Sequence, residues 1–234
     1  MPKMSKKKEE TLNNGQSERI KKEWSEGELI STFNLTRIAT YYTPTMKEWL
    51  DVPPVDLNIH EQYAFDKALL KAKKYISGWQ EEDLKMKFIS KILELGLLED
   101  NDKVMGYFDK IISGTIENIK LTVKSDYMLA KGTLDFFQTP FFHFQEYKPY
   151  KNPSGDSMAQ LLEAFLIAQV KNDNQQPLYG VDIMGANWRF VTMEGKEYCV
   201  SDIFSSTNQE QLLIIIAILR NFQRILEEKL LVEL

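Results

Sequence analysis

Three charged side chains set what chemistry this sequence can be expected to perform. Asp135, Glu146 and Lys148 flank the aromatic run Phe141, Phe142 and Phe144. If Thr139-Pro140 turns the chain back, the segments on either side of it form a hairpin. A two-residue turn sets Asp135 opposite Phe144 with Glu146 two residues further along the same face; a four-residue turn sets Asp135 directly opposite Glu146. Either even-numbered loop leaves both carboxylates on one face, at most about 8 Å apart at the backbone, whereas a three-residue loop sends them to opposite faces. Lys148 follows Glu146 by two and points the same way on a strand. Two carboxylates can hold a hard divalent cation through oxygen, and a neighbouring ammonium can hold water or offset developing negative charge. Phosphodiester hydrolysis needs that inventory.

The tripeptide Glu-x-Lys is weak by itself, since it recurs at Glu194-Gly195-Lys196 and Glu227-Glu228-Lys229. Context separates Glu146-Tyr147-Lys148, because it closes a run of aromatics that should be buried, and Asp135 also closes an apolar segment. Charges at the inner end of a core hairpin need compensation. The competing structural explanation is a salt bridge at a strand end.

The elements that must position these groups follow from hydrophobic spacing. Ile59, Tyr63, Ala64, Leu69, Leu70 and Ile76 recur at near-helical intervals, and a second helix after Gly78 carries Leu84, Phe88, Ile89, Ile92 and Leu93 up to Gly96. The period then shortens to two. Ile116 to Val123, Tyr127 to Phe137 and Phe141 to Tyr147 are expected as a three-stranded meander. Asp156-Ser157 caps a helix with Leu161, Leu162, Phe165 and Ala168 on its apolar face. Strands follow at Leu178 to Met184 and Trp188 to Met193, a short one near Tyr198 to Val200, and a long helix from Gln209 to Leu231. This order predicts an α/β sandwich with a mixed sheet rather than a doubly wound fold, because the first three strands are joined too tightly for crossovers.

The stretch Gly132-Thr133-Leu134-Asp135, then Glu146-Tyr147-Lys148, then Gln160 in the next helix, resembles the PD-(D/E)XK, or restriction-endonuclease-like, nuclease superfamily. The resemblance runs over roughly residues 78 to 200 and rests on the order and spacing of short motifs. It implies a restriction-endonuclease-like core, a central mixed β-sheet flanked by helices, over 77–234. It also implies hydrolysis of phosphodiester bonds, with DNA the expected substrate, using Mg²⁺ or Mn²⁺. Asp135 would bridge the metal, Glu146 would be the second acidic ligand and the backbone carbonyl of Tyr147 would complete the coordination. Lys148 would position the attacking water, Glu82 would be the acidic residue of the first core helix with Glu81 competing for the role, and Gln160 would orient the lysine or contact substrate. The sequence departs from the pattern at Leu134, where the name of the superfamily has proline, and at Ala164, where some branches carry an aromatic. A catalytically inactive nucleic-acid- or protein-binding module on the same fold is the alternative.

Composition narrows the rest. The 234 residues are 43% apolar and 27% charged with a net charge of −5, enough to build a core. A lone cysteine, Cys199, excludes an internal disulfide and zinc-thiolate chemistry, which points to a reducing, cytoplasmic setting. Residues 1–24 hold seven basic and four acidic groups and are expected as a disordered basic arm, and residues 25–76 as a mostly helical N-terminal extension. The other 210 residues hold 22 basic and 30 acidic groups, a net −8 that argues against a generic basic DNA-binding domain. No apolar core of a signal peptide follows the lysines, and the longest apolar run, Leu212 to Leu219, is too short to span a bilayer. The terminal helix leaves room for a homodimer or a partner subunit. His60 and His143 are expected in structural positions, and Trp188 and Tyr179 in the core or at its rim.

Overall fold

The computed structural model describes residues 23–98, 103–151 and 153–232. The elements are α1 (Glu26–Phe33), β1 (Thr36–Ile38), α2 (Pro44–Leu50), α3 (Ile59–Tyr75), α4 (Glu81–Leu84), α5 (Ser90–Leu95), β2 (Val104–Ile116), β3 (Ile119–Thr133), β4 (Phe136–Lys148), α6 (Ser157–Asn172), β5 (Leu178–Met184), β6 (Asn187–Glu194), β7 (Glu197–Val200), β8 (Phe204–Ser205) and α7 (Gln209–Ile225). A π-helical turn at Lys85–Ile89 links α4 to α5. The strands form one mixed sheet in the order β1-β7-β6-β5-β4-β3-β2, with β8 pairing to β6. Strands β2, β3 and β4 are an antiparallel meander, β4 and β5 run parallel across the α6 crossover, and β5, β6 and β7 are again antiparallel. The fold is therefore α/β, a mixed sheet covered by helices on both faces, as the order of elements predicts.

Each face has its own core. One packs α1 and α6 on the sheet through Leu29, Phe33, Met128, Phe144, Leu161 and Phe165. The other packs α2, α3, α5 and α7 through Trp49, Phe65, Ile92, Tyr147, Ile216 and Phe222. Gly180 makes the close approach of α6 possible, because a Cβ there would lie 2.7 Å from Leu161 Cδ1 and 2.8 Å from Phe165 Cζ.

Three expectations change. Residues 25–76 are mostly helical but are built into the same core: β1 pairs in parallel with β7, and fully buried Trp49 donates its indole N–H to the Ile218 carbonyl at 3.0 Å. The meander is also shifted. Ile116 to Val123 and Tyr127 to Phe137 do not form two strands; β3 runs unbroken through most of both, β2 precedes it, and the chain reverses at Leu134-Asp135 rather than at Thr139-Pro140, which lies inside β4. Finally, α3 buries Phe65, Ala68, Leu69 and Ala72 and leaves Ile59, Tyr63 and Leu70 exposed. The expected basic arm lies outside the described residues except for Glu23 and Trp24. Among the described residues, no helix is long and apolar enough to cross a membrane. The apolar stripe of α7 is spent on the core, with Leu212, Ile215, Ile216, Leu219 and Phe222 all fully buried.

Candidate functional site

Register decides which carboxylates meet. Near the turn Thr133 pairs with Phe136 and Lys131 with Gln138, yet Leu129 pairs with His143, so two steps along β3 are matched by five along β4. A bulge absorbs the surplus and resets the ladder. Beyond it Met128 faces Phe144 and Tyr127 faces Gln145, which brings Asp126 level with Glu146. Regular pairing between β3 and β4 ends there. The Asp126 side chain takes over the bonding, accepting the Tyr147 backbone N–H at Oδ2 over 2.8 Å. Alternation puts Asp126, Glu146 and Lys148 on the α6 face of the sheet, with Met128 and Phe144.

Asp135 is not part of this group. It occupies the hairpin turn with its side chain 82% exposed and pairs with Lys110. Nine residues of extended chain, about 30 Å, separate it from Asp126. The expectation that Asp135 and Glu146 share a cation is corrected accordingly. The cause is that the bulge and the Leu134-Asp135 turn fall where local sequence spacing cannot place them. Glu82 is corrected too: its side chain is 76% exposed and lies 3.7 Å from Lys85, whereas Glu81 Oε2 lies 3.4 Å from Lys148 Nζ and lines the site. Gln160 and Lys148 line one cavity. A cavity of about 310 Å³ is lined by Glu81, Lys124, Asp126, Lys148, Gln160 and Glu163, closed at one rim by Ser154 to Asp156 and at another by Glu23 and Trp24. Asp156 ties two walls together, capping α6 by accepting from Ala159 N at 3.1 Å and accepting from Glu26 N at 3.0 Å.

Glu146 is the most unusual group in the site. It is fully buried, and neither carboxylate oxygen accepts a hydrogen bond among the described residues. Burial, reinforced by the charge of Asp126 and opposed by Lys148, pushes its carboxyl well above the usual carboxylate range. Burial also raises Asp126, against the Tyr147 N–H and Lys148, which favour its ionised form. Gln160 Oε1 is likewise buried without a partner. A second rank of cations backs the first: Lys85, itself buried, and Lys124 each lie 2.7 Å from Asp109. Asp109 sits in the left-handed region (φ 56°), at the point where β2–β3 pairing skips from Phe108–Tyr127 to Lys110–Ser125.

The opposite face of β4 holds a separate buried chain. Tyr147 Oη donates to Gln145 Oε1 at 3.1 Å, and Gln145 Nε2 lies 3.0 Å from His143 Nε2. Burial drives the His143 pKa down to about 3, which keeps the ring neutral and structural. Among the described residues, no cluster of three or more His, Cys, Asp or Glu side chains forms a ready-made cation cage. The oxygen donors are therefore two carboxylates and the nearby backbone, a set suited to a hard cation that retains much of its water. The sequence signal that would have found Asp126 is the one that found Glu146. Asp126 opens the apolar run Tyr127-Met128-Leu129-Ala130, a charge at the edge of a core strand.

No protein-family model matches this chain, and no curated protein is significantly similar to it.

Proposed function

We propose that the protein is a divalent-metal-dependent nuclease of the PD-(D/E)XK type, with DNA as the expected substrate and Asp126 in the role that spacing had given to Asp135. The observation that supports this most is the unsatisfied Glu146 carboxylate, buried next to a second carboxylate and an ammonium. Two like charges side by side in a core are costly, and a fold without turnover has no physical reason to keep them. Asp126 and Glu146, with the Tyr147 carbonyl, would hold Mg²⁺ or Mn²⁺. When bound, such an ion polarises a phosphoryl oxygen and lowers the pKa of a coordinated water.

The chain's own groups do the remaining work. Tyr147 N–H fixes one Asp126 oxygen and so aims the other. Lys148, buried and steered by Glu81, places a fixed positive charge where the phosphorane-like charge develops. Gln160 Oε1, lacking a partner, is free to accept a hydrogen from a water in the cavity. The walls from Ser154 to Asp156 and Trp24 restrict that water.

The test is cleavage of linear, circular and single-stranded DNA and of RNA, with Mg²⁺, Mn²⁺ or chelator. Asp126→Asn and Lys148→Ala should each lower the rate by at least about a hundredfold, in line with the loss of a catalytic proton-transfer or charge-stabilising group. Asp135→Asn should leave the rate unchanged. No cleavage under any condition, or cleavage indifferent to both site variants, would overturn the proposal.

A further inference from the structure

We propose that Lys124, at the mouth of the Asp126–Lys148 cavity, receives the backbone phosphate next to the one that is cleaved. That role rests on the proposed nuclease reading.

The cavity is poor in positive charge for a site that must admit a polyanion. Glu23, Glu81, Asp126, Asp156 and Glu163 line it against two cations, Lys124 and Lys148. Lys148 is already committed: its side chain is 5% exposed and its Nζ lies 3.4 Å from Glu81 Oε2, on the floor beside the proposed metal ligands. Lys124 is the other one, and its side chain is 56% exposed. At about 310 Å³ the cavity is at the small end for a ligand pocket, so a stretch of sugar-phosphate backbone fits and a base pair does not. A lysine at that mouth therefore meets phosphate rather than base edges.

Lys124 is also held in place from behind. Its Nζ lies 2.7 Å from Asp109 Oδ1, while Asp109 Oδ2 lies 2.7 Å from Lys85 Nζ. Lys85 is buried where the π-helical turn begins, which fixes the carboxylate between the two ammonium groups. Asp109 itself adopts φ 56°, a region uncommon outside glycine. The Lys85–Asp109 pair is complete without Lys124, and a half-exposed ion pair adds little to stability. What Lys124 adds is a charge facing the site. Asp109 above all, with Asp126 and Glu81 behind it, raises the Lys124 pKa, so the ammonium stays charged within the field of two cavity carboxylates. An ammonium has three N–H donors, and Asp109 takes one. The other two are available to a phosphate oxygen.

The experiment measures binding of a fluorescein-labelled DNA duplex, in chelator and again in Ca²⁺, to the full chain, Lys124→Ala, Lys124→Arg and Lys196→Ala. Lys196 is an ion-paired lysine of similar exposure, 46%, outside the cavity lining, so Lys196→Ala removes the same charge elsewhere. Lys124→Ala should bind at least about tenfold more weakly, as expected for a lost hydrogen bond between charged groups. Its slope of log Kd against log salt should fall by about 0.9, one phosphate contact. Lys196→Ala should keep the wild-type slope, and Lys124→Arg should keep most of the affinity. The melting temperature of Lys124→Ala should move by less than about 4 °C. In Mg²⁺, losing a contact to a phosphate that does not react should raise KM more than it lowers kcat. A slope in Lys124→Ala equal to that of Lys196→Ala, no DNA binding by the wild type in either condition, or a lowered kcat with unchanged KM would each overturn the inference. A reduced slope in Lys124→Ala with no cleavage under any metal condition would overturn the nuclease reading and leave the phosphate contact standing.

Discussion

Replacing Glu146 by Gln removes an ionisable carboxyl without changing shape, and thermal unfolding with and without divalent cation reads out the consequence. In the folded chain Glu146 is fully buried with both oxygens unpartnered, and burial together with Asp126 holds its carboxyl protonated to well above the usual range. In chelator the wild type therefore favours the neutral acid, which Gln mimics. The sign of the pH dependence follows: a folded-state pKa raised above the unfolded one stabilises the wild type fully only below the unfolded value near 4.3, and that contribution declines as pH rises toward the folded value. Glu146→Gln should escape that decline and gain on the wild type as pH rises above the unfolded value. Added cation reverses the ranking. At a concentration about a hundredfold above its Kd, a ligand bound only by the folded state stabilises by about 2.7 kcal/mol. For a chain of this size each kcal/mol moves the melting temperature by about 2–4 °C, which gives a shift of about 5–11 °C. The wild type should show that shift with Mg²⁺ or Mn²⁺, and Glu146→Gln should not. Equal shifts in the two proteins, or no shift in the wild type with either ion, would refute the assignment of this carboxylate to a cation.

Other perturbations test the surrounding structure. His143, with a folded pKa near 3 against an ordinary 6.5, contributes stability that is complete above the unfolded value and drains away as pH falls. His143→Gln should therefore flatten the loss of unfolding free energy below about pH 6, where the wild type loses up to about 1.4 kcal/mol per pH unit from this group, as measured by urea titrations at several pH values. Arg189→Met strands Asp182, only 1% exposed and held by the Arg189 Nε at 2.8 Å. It should cost about 1–3 kcal/mol, with Asp182→Asn in the same chain recovering part of the loss. Gly180→Ala forces a methyl group to within 2.9 Å of the Phe144 carbonyl as well as into Leu161 and Phe165. Calorimetry should show a loss of about 1–3 kcal/mol from overpacking.

The elements legible in the sequence are those whose signals are local. Helix α6 begins where Asp156 offers a cap, β5 to β7 show in their apolar runs and the turn residues Gly185 and Gly195, and α7 follows from its apolar periodicity behind Asn208. The tripeptide Glu146-Tyr147-Lys148 was visible for the same reason, since its two charges are two residues apart on one strand. Strand β2 was not visible, because much of it lies outside the core: Phe108 is 40% exposed and Ile111 66% exposed, which blurs the alternation that marks a half-buried strand. Helix α3 was found, but with Ile59, Tyr63 and Leu70 on the wrong side, since periodicity specifies a helix face without specifying which neighbour covers it.

Sequence by itself thus determined the class of fold, the strand that carries Glu146 and Lys148, and the helix that carries Gln160. Only the tertiary structure decided that Asp126, not Asp135, meets Glu146, and that Glu81, not Glu82, meets Lys148. Side-chain direction along a strand repeats every two residues, so one turn position and one bulge determine which distant carboxylates share a face. Both devices depend on how β3, β4 and α6 pack together, which no window of neighbouring residues records.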